Sequence, residues 1–118
     1  MIKHNFKELD IWKLSFQLSV LILKEIKSSK NFALKDQITR SAISIPSNIA
    51  EGSQRNSNVD FIRFLHIAKG SAAELYTQLL IAKELEELEI SKCNDYLDQI
   101  TLISSKNHSF IKYLKNKK

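Results

Sequence analysis

Residues 40–52 read RSAISIPSNIAEG, and they contain the chain's only proline, Pro46. Around this proline, apolar residues recur at helical spacing: Ile38, Ala42, Ile45 and Ile49. The spacing predicts an amphipathic helix over 34–51. Pro46 lacks a backbone donor and its ring crowds the preceding turn, so we expect a kink or a broken turn there. Gly52 is the expected end of the helix.

A second stripe on this helix is small and polar. Its members are Gln37, Ser41, Ser44, Ser47 or Asn48, and Glu51. Small side chains on a helix surface suit close helix–helix contact better than catalysis. A third segment carries Gly70, which costs a helix interior about 1 kcal/mol relative to alanine. We therefore expect close contacts, within or between subunits, at Ser44, Ser47, Ala50, Gly70 and Ala73.

The rest of the chain predicts three more helices. In the third, apolar residues alternate at steps of four and three, as in a bundle core: Phe61, Leu65, Ala68, Ala72, Leu75, Leu79 and Ala82. Ser57 and Ser91 are candidate helix caps. The predicted helices span about 9–27, 34–51, 58–88 and 92–114 of one domain, 1–118. Four helices with short connections predict an all-α, antiparallel, up-down-up-down, left-handed four-helix bundle.

Composition narrows the class of protein. Glycine (2) and proline (1) are scarce and 43% of the residues are hydrophobic, which disfavours a turn-rich β fold. No apolar run reaches the length of a signal peptide or a membrane span. The single cysteine, Cys93, cannot form an intrachain disulfide, which fits a reducing compartment. We therefore expect a cytoplasmic protein without membrane contact.

No catalytic, metal or cofactor motif is present in the sequence. The three histidines lack the spacing of a helical metal site, Cys93 has no C-x-x-C partner, and the glycines form no phosphate loop. We therefore predict a non-enzymatic protein that holds no metal and no cofactor.

The net charge of +5 lies at one end of the predicted bundle. Residues 1–13, 50–63 and 108–118 meet there in an up-down topology, and they hold nine Lys or Arg against four acids. Such an end can attract a polyanion. The candidate nucleic-acid contacts are Arg55, Arg63, Lys112, Lys115, Lys117 and Lys118. The alternative is a solvated tail with no ligand.

Around the second turn, Asn48, Glu51, Arg55 and Arg63 can form a hydrogen-bonded cluster. Glu51 and Arg55 stand four apart, which is an ion-pair spacing if helix geometry persists past Gly52. The cluster is either a subunit interface or ligand patch, or a structural group that fixes the turn.

The segment from Gln37 to Ala82 resembles the 23S rRNA intervening sequence proteins. The resemblance rests on Gln37, Arg40, the run Ser44–Gly52, Arg55, Ser57, Phe64-Leu65, Ile67-Ala68, Gly70-Ser71, Glu74-Leu75 and Thr77-Gln78-Leu79, with Leu9 and Trp12 in the first helix. Two departures concern loops: Ala33 stands at a family glycine position, and Glu86-Glu87-Leu88 replaces a Gly-Tyr turn.

The resemblance implies a four-helix bundle that forms a ring-like homopentamer. It also implies a relation to the accessory protein of diversity-generating retroelements, which binds nucleic acid through basic surfaces. The motif residues expected to serve structure or a subunit interface are Arg40, Ser44, Pro46, Ser47, Asn48, Glu51, Gly52, Gly70 and Glu74. We thus expect a homo-oligomer that binds RNA or an RNA–protein complex through its basic end. The alternative is a scaffold or adaptor that binds a protein partner and no nucleic acid.

Overall fold

The computed structural model describes residues 4–117, which form four long α-helices after one short 3₁₀ helix. The 3₁₀ helix spans Phe6–Glu8. The α-helices are α1 (Asp10–Ile26), α2 (Phe32–Ser53), α3 (Asn58–Glu84) and α4 (Ile90–Asn116). No helix within these residues is long and apolar enough to cross a membrane.

The helices pack in sequence order around a closed square. α1 contacts α2, α2 contacts α3, α3 contacts α4, and α4 returns to α1. Within the described chain, no Cα atoms of the diagonal pairs α1–α3 and α2–α4 come within 8 Å of each other. The molecule measures 48 × 20 × 20 Å, so its long axis is that of the helices. The predicted all-α up-down bundle is confirmed.

The predicted apolar stripes of α2 and α3 form the core. Every member of both stripes is buried, because the spacing of three and four residues keeps them on one side of each helix. α1 adds Ile11, Leu18, Ile22 and Ile26. α4 adds Cys93, Tyr96, Leu97, Ile100, Ile103, Ile111 and Leu114.

α2 continues through Pro46 without a break, so the expected broken turn does not occur. Pro46 has no N–H, so the carbonyl of Ala42, four residues earlier, lacks its usual helical donor. The hydroxyl of Ser19 in α1 lies 2.8 Å from that carbonyl and donates to it. A neighbouring helix therefore satisfies the group that the proline leaves unpaired.

The two glycines have roles that differ from those expected. Gly52 lies inside α2, which ends at Ser53, and it does not terminate the helix. A β-carbon on Gly52 would lie 2.7 Å from Cβ of Phe64, so the glycine permits α3 to approach α2. A β-carbon on Gly70 would meet nothing within 4 Å in this chain. The close approach expected at Gly70 is therefore absent from the described chain.

Two helix ends depart from the prediction and one agrees. Ser57 caps α3 by accepting the N–H of Asp60 at 3.1 Å, as predicted. α3 ends at Glu84 and not near residue 88, because Glu86 adopts a positive φ of 57°. Ser91 is not a cap: α4 begins one residue earlier, at Ile90, after Glu89.

Asn107 is a buried polar side chain between α3 and α4. Its Nδ2 donates to the backbone oxygen of Leu65 at 3.0 Å. Its Oδ1 is buried and has no hydrogen-bond partner among the described residues. This bond ties the first third of α3 to the C-terminal half of α4 and so opposes sliding of one helix along the other.

Candidate nucleic-acid interface

Three chain segments meet at one end of the bundle, as the up-down topology requires. The ring of His4 lies 5.3 Å from that of Phe61 and 5.9 Å from that of Phe110, measured between centroids. Phe61 and Phe110 are themselves 5.4 Å apart. Gln54 Nε2 also donates to the backbone oxygen of His4 at 3.1 Å. We call the described residues of 4–13, 50–63 and 108–117 the basic end.

Arg55 and Arg63 converge on one aromatic ring. Their guanidinium carbons lie 4.6 Å and 4.7 Å from the ring centroid of Phe64, within cation–π range. Arg55 also lies 3.9 Å from a carboxylate oxygen of Glu51, and Arg63 lies 3.8 Å from one of Asp60. These loose, exposed ion pairs offset part of the positive charge that each arginine offers to a ligand.

The lysines of α4 form a separate group. Lys112, Lys115 and Lys117 are exposed, and Lys117 Nζ lies 2.9 Å from the hydroxyl of Tyr113. α4 packs on α1 and α3, whereas Arg55 lies in the turn between α2 and α3. Lys118, the sixth predicted contact, is outside the described residues.

The expected cluster of Asn48 with Glu51, Arg55 and Arg63 divides into two. Asn48 Nδ2 donates to the backbone oxygen of Ser44 at 2.8 Å and to its hydroxyl at 2.9 Å. The Ser44 hydroxyl shares a 2.7 Å hydrogen bond with that of Ser71 in α3. Asn48 and Ser44 thus bridge α2 and α3 near mid-length, whereas Glu51 pairs with Arg55 in the last turn of α2.

The other motif residues are scattered. Arg40 pairs with Asp36 at 3.0 Å, far from the basic end. Pro46 is buried, whereas Ser47, Gly70 and Glu74 are exposed and Ala50 is half-buried. Ser47, Gly70 and Glu74 are therefore available for contacts outside this chain.

Two of the grooves on the described part of the bundle lie beside α4. The larger, of about 600 Å³, lies between the start of α1 and α4, and its charged side chains are Glu8, Asp10 and Lys106. Lys106 lies 3.7 Å from Asp10, so this groove has an excess of negative charge. The second, of about 410 Å³, lies between α3 and α4, and Lys69 is its only charged lining residue. A polyanion is compatible with the second groove and not with the first.

Sequence reasoning did not single out the α3–α4 groove. Its lining residues are Lys69, Ala72, Ala73, Tyr76, Thr77, Ile100, Thr101 and Ser104. The sequence did contain one indication of this groove. Lys69 and Tyr76 each directly follow a member of the apolar stripe of α3, Ala68 and Leu75, so they lie at the edge of its buried face. Which neighbouring helix that edge faces depends on the handedness of the packing, and the sequence alone does not determine it.

Groups with chemical reactivity are not assembled in the described part of the chain. No set of three His, Cys, Asp or Glu side chains there is placed to hold a metal ion. Cys93 is fully buried, and its thiol donates to the backbone oxygen of Leu79 at 3.2 Å. Burial raises the pKa of this thiol, which keeps it protonated and unreactive.

Comparison with known proteins identifies the family but not a function. The family model of the 23S rRNA-intervening sequence protein matches residues 7–109. A crystal structure of a protein of unknown function from the S23 ribosomal protein family of Bacteroides thetaiotaomicron is 30% identical, with a TM-score of 0.82. That match covers 86% of this chain and 98% of the other. No curated protein matches the sequence. The chain belongs to the 23S rRNA-intervening sequence protein family.

Proposed function

We propose that this protein is a non-enzymatic, homo-oligomeric bundle that binds RNA, or an RNA–protein complex, through its basic end. The observation that carries the proposal is the joining of three cation-bearing segments through His4, Phe61 and Phe110. The described part of that end holds seven Lys or Arg against four acids.

The cations differ in how much charge they offer. Glu51 and Asp60 lie against Arg55 and Arg63, so the arginines are partly neutralised. No carboxylate within the described residues forms an ion pair with the lysines in the last two turns of α4. Lys112, Lys115 and Lys117 therefore offer more charge than the two arginines, as do Lys7 and Lys13, which also form no ion pair among the described residues.

Assembly would strengthen weak contacts of each subunit. We propose a homopentamer, the state that the family resemblance implies. Multiple linked sites raise avidity by about 10²–10⁴ without new contacts, provided that one ligand reaches several of them. A ring that displays the basic end of every subunit on one side would meet that condition for a long RNA.

A face of α1 and α2 supports self-association. Phe16, Val20 and Ile43 are 48%, 38% and 43% exposed, and the half-buried Trp12 stacks on Phe16 at 4.9 Å between ring centroids. The hydrogen bond between Ser19 and Ala42 joins the two helices. Val20 directly follows Ser19, and Ile43 directly follows Ala42. We call Trp12, Phe16, Val20 and Ile43 the α1–α2 face, and we propose that a second copy covers it.

The test is RNA binding across a salt series, with the mass of the particle measured by light scattering in the same buffer. We expect a pentamer whose affinity falls steeply as salt rises. The variant Lys112→Glu, Lys115→Glu, Lys117→Glu should lose most of that binding. The matched control reverses Lys24, Lys27 and Lys30, which also lie at the end of a helix but at the opposite end of the bundle, and it should bind as the parent does.

Two results would contradict the proposal. Absence of binding at low salt would remove the nucleic-acid role. Equal loss in both triple variants would show that net charge matters and the basic end does not. Capture of a protein partner that survives both charge reversals, without RNA binding, would favour the scaffold alternative.

A further inference from the structure

We propose that the α3–α4 groove holds one single strand of nucleic acid, with Tyr76 stacking on a base and Lys69 contacting the phosphate backbone. This inference rests on the proposed function and names the path of the ligand across the molecule.

The lining of the groove is the first argument. One of its eight lining residues is charged, Lys69, and the others include the aromatic ring of Tyr76 and the hydroxyls of Thr101 and Ser104. Its volume of about 410 Å³ lies within the range of pockets that bind small ligands. A cation and an aromatic ring are the groups that bind a strand without reading its sequence.

Continuity with the basic end is the second argument. On α4, the positions 101, 104, 108, 112 and 115 follow one another at steps of three or four, so they share one side of the helix. Thr101 and Ser104 line the groove, and Lys112 and Lys115 extend the same line toward the basic end. A strand that leaves the basic end along α4 therefore enters the groove.

The third argument is that the side chains of Tyr76 and Lys69 are accessible to a ligand. Tyr76 is 37% exposed, so part of its ring is open to a ligand. Lys69 is exposed and forms no ion pair with another described residue. By contrast, Lys106 beside the other groove is held 3.7 Å from Asp10. The bases of a duplex are stacked on one another, so only a single strand can use Tyr76.

The first experiment compares a labelled 20-nucleotide oligo(U) with a 20-base-pair RNA duplex. Tyr76→Ala should weaken oligo(U) binding about fivefold or more, and Tyr76→Phe should retain it because the ring remains. The control Phe32→Ala removes an aromatic side chain that is 71% exposed, outside the groove and at the opposite end of the bundle from the basic end, and it should change nothing. Lys69→Gln should lower the salt dependence by about one counterion.

A second experiment reports on the groove directly. Because Cys93 is fully buried and is the only cysteine, the thiol in Ala73→Cys would be the one that reacts with a maleimide in the folded protein. We expect rapid labelling in the free protein and protection by oligo(U). A thiol that is unreactive without RNA would mean that a second copy covers the groove, and that result would overturn the inference.

The outcomes separate this inference from the proposed function. If the Tyr76 and Lys69 variants bind oligo(U) like the parent while the triple variant at the basic end does not, the groove is not the path and the basic end still binds. If the parent binds neither probe at low salt, both proposals fail.

Discussion

Gly52 and Gly70 both lie inside helices, yet they have opposite surroundings. Gly52 is buried against α3, where its missing β-carbon would lie 2.7 Å from Cβ of Phe64 and 2.9 Å from Cδ1 of Phe61. Gly70 faces open space in this chain. The first glycine therefore allows a contact that sets the distance between two helices at the basic end, and the second only weakens its own helix.

This contrast predicts opposite effects of alanine. Gly52→Ala should lower the free energy of unfolding by about 1–3 kcal/mol, because Phe61 and Phe64 must move. Gly70→Ala should raise it by up to about 1 kcal/mol, because alanine favours the helix. Urea unfolding at matched oligomeric state would measure both. A Gly70→Ala protein that dissociates would instead place Gly70 in a subunit contact, and equal effects of the two changes would refute the steric argument.

Cys93 predicts a pH dependence of stability. Burial raises the pKa of its thiol above the ordinary value of 9.0, so the folded state holds the proton more tightly than the unfolded state does. Stability is therefore unaffected below that value and falls as the pH rises past about 9, where the unfolded thiol ionises first. Urea midpoints at about pH 8 and pH 10 should fall less in Cys93→Ala. A thiol that reacts with Ellman's reagent in the folded protein would contradict its burial.

At the scale of elements, the passage of α2 through Pro46 depends on α1. The Ser19 hydroxyl supplies the donor that the proline removes, so the two residues should be coupled although they lie in different helices. The same hydroxyl also lies 2.8 Å from the backbone oxygen of Ser15, and with a single proton it donates to one oxygen at a time.

A double-mutant cycle tests this coupling. Ser19→Ala should cost about 1–3 kcal/mol in the natural chain, because it leaves the buried carbonyl of Ala42 without a donor. In a Pro46→Ala background, residue 46 regains its N–H, and the same change should cost clearly less. Chemical unfolding of the four proteins gives the interaction energy. An interaction energy near zero would mean that Ala42 does not depend on Ser19.

The elements also show what local sequence can predict. The buried faces of α2 and α3 could be predicted from the spacing of their apolar residues, because burial selects one face of a helix whatever its partner. The continuity of α2 through Pro46 could not be predicted. The hydroxyl that donates to the Ala42 carbonyl belongs to Ser19, which lies in another helix, 23 positions before Ala42. The early end of α3 was missed because Glu86 adopts a conformation that glycine or asparagine usually signals.

The candidate site, like the fold, was predictable only in part. The meeting of three basic segments followed from helix order alone. The separation of Asn48 from Arg55 did not, because the Asn48 amide bonds back to Ser44 in the preceding turn, an option that spacing does not reveal. To predict the α3–α4 groove, one would also need to know the order in which the helices are arranged around the square.

At the scale of the whole molecule, the α1–α2 face leads to a prediction about assembly. Phe16→Asp with Ile43→Asp should convert the proposed oligomer into a folded monomer, because both side chains are partly exposed and neither belongs to the buried core. Leu102→Asp, at 47% exposure on α4, is the matched control and should stay oligomeric. Light scattering gives the mass and circular dichroism the helix content. An intact oligomer in the double variant would exclude this face as the interface.

The meeting of His4 with Phe110 has a practical consequence for engineering. Because the N- and C-terminal segments lie side by side, a short linker could join them, and the chain could be reopened in the turn around Glu86. Such a circular permutant would carry its new ends at the opposite pole of a molecule 48 Å long. Affinity tags or fluorophores attached there would leave the basic end unobstructed, whereas tags on the N-terminal or C-terminal segment would lie beside it.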